Sequence, residues 1–313
     1  MTSRQPPVSG SSFRPARARA ASVDGRADSG SAVREVLEWL SLVVPIVTIV
    51  TALLFWFGYT ATDARFAYFG IDSSTLELTN IDYVLRSADG IFVPATVTLL
   101  IVLGASAVHA LVGAAIQQRR GGTVLRKAAT ATLVLGLAGT AIGVFWMFEG
   151  RPDRVYYLLP PILLGGGVLV FAYSARVLSS LRVEPVDSRT IWQRVGMWAA
   201  AAIVLLMVFW TFSLYARALG TGRAVTYVDR LANRPSAIVY SSRSLDVGEP
   251  VDETVGDAES YYRYRYSGLR VVIKAGDKYV LLTEGWTRDS GRAILIDDTA
   301  EVRLEFEPPR EPR

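Results

Sequence analysis

Residues 195–216 read Val-Gly-Met-Trp-Ala-Ala-Ala-Ala-Ile-Val-Leu-Leu-Met-Val-Phe-Trp-Thr-Phe-Ser-Leu-Tyr-Ala, 22 positions without one Asp, Glu, Lys or Arg. An α-helix rises 1.5 Å per residue, so about 20 apolar residues cross a hydrocarbon core of roughly 30 Å. Four more uncharged stretches precede it: 39–62 (24 residues), 90–118 (29), 128–148 (21) and 155–175 (21). Trp and Tyr gather near their ends (Trp39, Trp56, Tyr59, Trp146, Tyr156, Tyr157, Trp198, Tyr215), as amphipathic rings at headgroup depth do. The alternative is a set of buried helices in a water-soluble protein. Five such runs within about 180 residues leave no polar faces for water.

The sequence therefore predicts a membrane all-α bundle of five transmembrane helices in a transmembrane domain at 35–216. The spans fall at about 39–60, 91–116, 128–148, 155–175 and 195–216. Basic residues precede the first, but its apolar run exceeds a secretory h-region and no clean cleavage site follows, so it reads as a retained span.

Composition agrees. Of 313 residues, 51% are hydrophobic and 20% charged, with a mean hydropathy of +0.29, which excludes disorder throughout and ill suits a soluble protein. With no Cys there are no disulfides, thiolate nucleophiles or Cys-ligated zinc. A single His, His109, excludes any site that needs two imidazoles.

Orientation follows from the distribution of Lys and Arg. The segment before the first span and the second and fourth connections together carry 14 basic residues. The first and third connections carry only Arg65, Arg86, Arg151 and Arg154. Positive-inside places the N-terminus in the cytoplasm and, after five spans, the C-terminus outside, in a multi-pass protein of the cell (plasma) membrane. Residues 217–313 balance 15 basic against 16 acidic side chains, so no nucleic-acid footprint remains.

Residues 1–34, rich in Ser, Arg, Ala, Gly and Pro, predict a disordered basic cytoplasmic tail. The connection 63–89 holds Ser74-x-x-Glu77 and Thr79-x-x-Asp82, each with the spacing of a helix start. Ile81, Leu85, Ala88 and Phe92 follow at helical spacing, so the second span is expected to begin early. Five carboxylates lie here (Asp63, Asp72, Glu77, Asp82, Asp89), and their spacing matches no metal loop.

Residues 217–307 predict a small antiparallel all-β extracytoplasmic domain, a barrel or sandwich. Strand-like runs occur at 236–241, 261–266, 269–275, 279–282, 293–297 and 302–306, separated by Ser267-Gly268, Gly276-Asp277 and Asp289-Ser290-Gly291. Its alternating strands are expected to supply a core sufficient for 235–307 to fold alone. Residues 308–313 are expected to be a disordered tail.

Tyr68-Phe69-Gly70-Ile71-Asp72, Asp82-Tyr83-Val84-Leu85-Arg86-Ser87 and Tyr262-Arg263-Tyr264-Arg265-Tyr266-Ser267-Gly268-Leu269-Arg270 resemble segments of uncharacterised multi-pass integral membrane proteins of high-GC bacteria. The resemblance covers about 40–280, unevenly. It implies an integral membrane protein and no particular activity.

Chemistry is sparse. Ser106 lies three residues before His109 on the same span, whereas an intramembrane Ser–His pair normally comes from two helices. Hydrogen bonds to backbone carbonyls satisfy both groups equally well. The spans carry no Asp, Glu, Lys or Arg, which lowers a coupled-transporter reading. Gly136, Gly139 and Gly143 in the third span allow close helix packing, within the bundle or in a homo-oligomer. Pro160-Pro161 and Gly165-Gly166-Gly167 are expected to weaken or bend the fourth. Alternation at 262–266 sets Tyr262, Tyr264 and Tyr266 on one face and Arg263 and Arg265 on the other, the two arginines being candidate partner-binding residues. No catalytic, cofactor or metal motif is present. The expectation is a non-enzymatic binding, sensing or accessory protein that needs no cofactor. Its partners are the lipid bilayer and a protein or envelope component; a channel or transporter component is the alternative.

Overall fold

The computed structural model describes residue 2 and residues 27–117, 122–149, 156–181, 191–249, 251–257 and 259–309. The chain divides into two compact units, Met1–Val50 and Thr51–Arg313. In the first, residues 27–34 are helical rather than part of a disordered tail; nearly all the remainder of that expected tail lies outside the described residues. Val, Glu, Leu and Arg at 33–38 are tolerant of helix, so the apolar helix propagates backward through them. Val43, Val44, Val47 and Ile49 are exposed, and Thr48 donates its hydroxyl to the Val44 carbonyl at 2.8 Å.

Five helices are long and apolar enough to cross a membrane. They are α1 (Ala27–Tyr68), α2 (Asn80–Gln117), α3 (Gly122–Glu149), α4 (Leu159–Ser180) and α5 (Ile191–Asp229). Apolar side chains along them point outward: Leu99 of α2 is 70% exposed and Leu205 of α5 71%. The helices outrun the expected spans, and α4 is displaced toward the C-terminus from 155–175. Pro160 and Pro161 stand in the first turn of α4, where their missing N–H groups have no helical acceptor in any case, so they start the helix instead of bending it. Gly165, Gly166 and Gly167 continue it unbroken.

Within the second unit, glycines set the helix contacts. A β-carbon on Gly136 would lie 2.6 Å from the Phe171 nitrogen, and one on Gly143 would lie 2.6 Å from the Leu164 nitrogen, so α3 meets α4 backbone to backbone. Gly139 is looser, at 3.6 Å from the Leu163 carbonyl. Thr132 and Ser174 share a hydrogen bond of 2.8 Å across the same interface.

A second set of contacts joins α1, α2 and α5. A β-carbon on Gly58 would strike the Tyr83 carbonyl at 1.8 Å, and one on Gly220 the Ala61 carbonyl at 2.0 Å. Gly90 instead leaves room for side chains, those of Leu219 and Phe57. Around these points Phe57 packs on Phe212 with ring centroids 5.7 Å apart, and Trp56 donates its indole N–H to the Ser213 hydroxyl at 2.9 Å.

The C-terminal unit is one six-stranded antiparallel sheet: β1 (Ser236–Ser241), β2 (Asp252–Val255), β3 (Tyr264–Ala275), β4 (Lys278–Thr283), β5 (Ala293–Asp297) and β6 (Val302–Glu307). The path runs β5-β4-β3-β1-β6, with β2 also paired to β3. Three expectations need correction. Residues 217–229 are not part of the β unit but continue α5. The runs 261–266 and 269–275 are one strand from Tyr264, because Ser267-Gly268 forms a bulge, where Ala237↔Leu269 is followed by Val239↔Tyr266, rather than a turn. Gly268 takes the positive φ of 83° that this bulge requires. Finally, β2 is a strand that its exposed, non-alternating Asp-Glu-Thr-Val sequence does not announce.

Topology forces the sheet to roll. Through its neighbours Asp297 lies level with Ala275 and Val302 level with Tyr264, at opposite ends of β3. Along a flat sheet those levels are roughly 35 Å apart, whereas the link 298–301 reaches about 17 Å at most. The bulge at Gly268 and a second register shift between Val271 and Ile273 supply the bend. The inner face then closes on Val239, Tyr266, Leu269, Leu281 and Ile296.

Gly220→Ala should destabilise the helical part by about 1–3 kcal/mol, because backbone rather than a flexible side chain must give way. Gly166→Ala, whose β-carbon meets open space, should be neutral. Thermal unfolding in detergent measures both, and equal melting points would remove the contact from the account.

Candidate functional site

In β4, Leu281 faces the inner core of the sheet, while Val280 and Leu282 face the other way and are equally buried. What covers them comes from the helices. Phe66, Phe69, Ile71 and Leu76, between the end of α1 and the start of α2, pack with Ala224 and Tyr227 of α5 against Val280, Leu282 and Trp286.

Local sequence shapes this platform. Past Tyr68 the Ile71 N–H returns to the Phe66 carbonyl (3.0 Å) and Gly70 N–H to Ala67 (3.1 Å), with Gly70 at φ 78°. This is the double bond that ends a helix on a left-handed glycine, with Ile71 folded onto Phe66. Asp72 then accepts from the Ser74 N–H at 2.8 Å and starts a 3-10 turn, Ser73–Leu76. Hydrogen bonding from that N–H holds the Asp72 carboxyl below the usual carboxylate range. Ser74-x-x-Glu77 is therefore not a helix start. Thr79-x-x-Asp82 is: Thr79 N–H donates to the Asp82 carboxylate at 2.9 Å, and Asp82 N–H donates to the Thr79 hydroxyl at 3.3 Å.

The sheet is also tied down by polar contacts. Tyr227 donates its hydroxyl to the Val271 carbonyl at 2.6 Å. Lys278 bridges the Glu77 carboxylate at 2.8 Å and the Thr75 carbonyl at 3.3 Å. That hydrogen-bonded pairing pulls the Glu77 carboxyl below its ordinary value and lifts the Lys278 ammonium above its own. Trp286 lies edge-on to Phe69, with centroids 5.5 Å apart.

One turn from the three-helix glycine contacts lies a polar cavity of about 150 Å³, lined by Ala61, Thr62, Arg65, Arg86, Asp89 and Arg223. Each arginine comes from a different helix, and all three are half-buried. Among the described residues, no ion pair within 4.0 Å reaches any of them or Asp89. The Arg65 Nε–H is buried with no hydrogen-bond acceptor. A larger space of about 790 Å³ is an open trough along α3 beside Arg126 and Lys127, lined from that helix alone.

The residues singled out from sequence do not converge on one site. Arg263 is exposed and precedes β3, while Arg265 lies on β3 between Tyr240 of β1 and Thr254 of β2. His109 Nδ1 is 3.3 Å from the Tyr173 hydroxyl, whereas Ser106 donates to the Val102 carbonyl at 2.8 Å, so the two do not pair. Gly136 and Gly143 face α4. Asp63, Asp72, Glu77 and Asp82 take separate partners (Ser73 donates to Asp63 at 2.8 Å), and Asp89 lines the polar cavity. Among the described residues no group of three His, Asp or Glu side chains converges as a metal site would require. In the sequence Arg65 and Arg223 register only as charges, and Arg86 only as a charge and a member of the 82–87 segment. Their one shared signal is position, just beyond the ends of three uncharged stretches. The chain matches no protein-family model, no curated protein and no solved structure.

Leu282→Ala should weaken attachment of the sheet by about 2–5 kcal/mol, read as loss of hydrogen-exchange protection across β4. Correspondingly, 235–307 alone would expose Val280, Leu282 and Trp286 to water. The Glu77–Lys278 tie has two pH limits. Glu77, depressed from 4.5, contributes at neutral pH and loses its contribution as pH falls through its lowered value. Lys278, raised from 10.5, contributes up to that pH and loses its contribution as pH rises through its elevated value. The exchange protection factor at the β3–β4 turn, which removes the base catalysis of exchange itself, should therefore be flat between about pH 6 and 9. Glu77→Gln should abolish the acid limb, and an acid limb that persists would assign it to another group.

Proposed function

We propose that this chain is a multi-pass protein of the cell membrane, with a cytoplasmic N-terminus and the β unit on the extracytoplasmic side. It acts as a non-enzymatic binding, sensing or accessory protein. One observation carries the reading: five apolar helices carry outward-facing Leu, Val and Phe, and the last leads into a folded sheet docked on the α1–α2 connection and α5. Exposed apolar surface on this scale needs a lipid solvent. The excess of Lys and Arg before the first span and in the second and fourth connections supports the orientation. A protein or envelope component is the partner this reading assigns to the β unit, with Arg263 and Arg265 as candidate contacts. The channel or transporter alternative rests on the Pro and Gly content of the fourth span and on an expected break there, whereas α4 is continuous.

Reporter fusions after Asp72 and at Arg313 should read external, and fusions after Arg120 and after Arg189 cytoplasmic. A cytoplasmic reading at Arg313 overturns the orientation. In-membrane crosslinking from the β unit should trap a partner that the double variant Arg263→Ala, Arg265→Ala loses while its sheet stays folded. Retention of that partner by the variant removes the two arginines from the contact.

A further inference from the structure

We infer that the cavity between α1, α2 and α5 is a binding site for a phosphate oxyanion, held by Arg65, Arg86 and Arg223. The cavity brings three guanidinium groups and one carboxylate together with no ion pair among them. Arg234 adds further positive charge near Arg65. Like charges on three helices repel, and a half-buried cluster of this kind is stabilised by an anion that bridges it. The buried Arg65 Nε–H marks where an acceptor is missing.

Size and chemistry narrow the ligand. A volume of about 150 Å³ equals roughly five waters of liquid. That holds one phosphate group and falls below the 300 Å³ or more of pockets for larger organic ligands. Guanidinium forks match the paired oxygens of phosphate, and Thr62 adds a hydroxyl to the lining.

The site is built, not incidental. Gly58 and Gly220 bring α1 backbone to backbone with α2 and α5, and Gly90 seats the Leu219 and Phe57 side chains against α2. Arg65 lies two turns beyond Gly58, Arg86 about one turn before Gly90 and Arg223 about one turn beyond Gly220, so the helix contact fixes where the arginines meet. Measured from the ends of the uncharged stretches at Thr62, Gly90 and Ala216, they stand 3, 4 and 7 residues out, about 5–10 Å along the helix. Under the membrane reading above this is headgroup depth, so the phosphate comes either from a lipid headgroup or from solution. Only the lipid source rests on that reading.

The test uses the full chain in nanodiscs. One arm adds inorganic phosphate to discs of an uncharged, phosphate-free glycolipid; the other replaces a fifth of that lipid with phosphatidylglycerol. At least one arm should raise the melting temperature. The shift should shrink as added sodium chloride screens the charges. Arg86→Gln and Arg223→Gln should each weaken the effect at least about tenfold, while Arg126→Gln on α3 leaves it intact. A shift with phosphate alone assigns a dissolved ligand, and a shift with phosphatidylglycerol alone assigns a lipid. No shift of the wild-type protein in either arm, or an undiminished shift in Arg86→Gln and Arg223→Gln, overturns the proposal. Fusion reporters fail independently of these arms, so a wrong orientation and an empty site are distinguishable.

Discussion

Burial of both faces of β4 is the constraint on which the rest of the structure depends. A sheet of some 70 residues has enough apolar area to close one core, and rolling uses it around Leu281, Tyr266 and Leu269. Val280 and Leu282 point out of that roll and still exclude water. Their cover is Phe66, Phe69, Ile71 and Leu76, so a segment that looks like an interhelical connection serves as half of a core. This explains why the connection is so closely specified. A left-handed glycine, an aspartate-capped 3-10 turn and a capped start to α2 follow one another with no slack.

The same economy operates among the helices. Under the proposed membrane setting, association gains little from burying apolar surface, and close backbone approach has to come from small residues. Gly136 and Gly143 serve α3 and α4, and Gly58, Gly90 and Gly220 serve the other three. The second set lies next to charge. Repulsion among Arg65, Arg86 and Arg223 opposes the contact that the glycines permit, and a bound anion would reverse its sign.

Much of this was legible in the sequence, and the limits have physical causes. The five helices announce themselves because a missing charge is a signal independent of register. The β3–β4 hairpin is visible as Gly276-Asp277 between two apolar alternations, and Gly276 takes a φ of 54°. The Thr79–Asp82 box is equally local. What escaped depends on distant partners. Ser267-Gly268 has turn composition, and pairing with β1 makes it a bulge. Pro160-Pro161 bends or begins a helix according to where the helix starts. Arg217-Ala-Leu-Gly-Thr-Gly looks like an ending, yet α5 continues through it because Gly220 and Ala224 are needed against α1 and the sheet. The three arginines of the cavity are separated by 21 and 137 positions, and no spacing rule connects them.

Ala216, Gly220, Ala224 and Tyr227 are all buried and form one stripe along α5, beginning against Phe57 and Ala61 and ending under β3. The helix thus acts as a keyed shaft. Each residue added or removed turns everything downstream by 100° and advances it 1.5 Å. A single-residue insertion near Ala218 would leave both ends of α5 intact as helix. It would nonetheless rotate Arg223 out of its cavity and Tyr227 away from the Val271 carbonyl in one motion. Length changes in this stretch are therefore quantised: of small insertions, seven residues come nearest to restoring the phase, at the cost of lifting the sheet by about 10 Å.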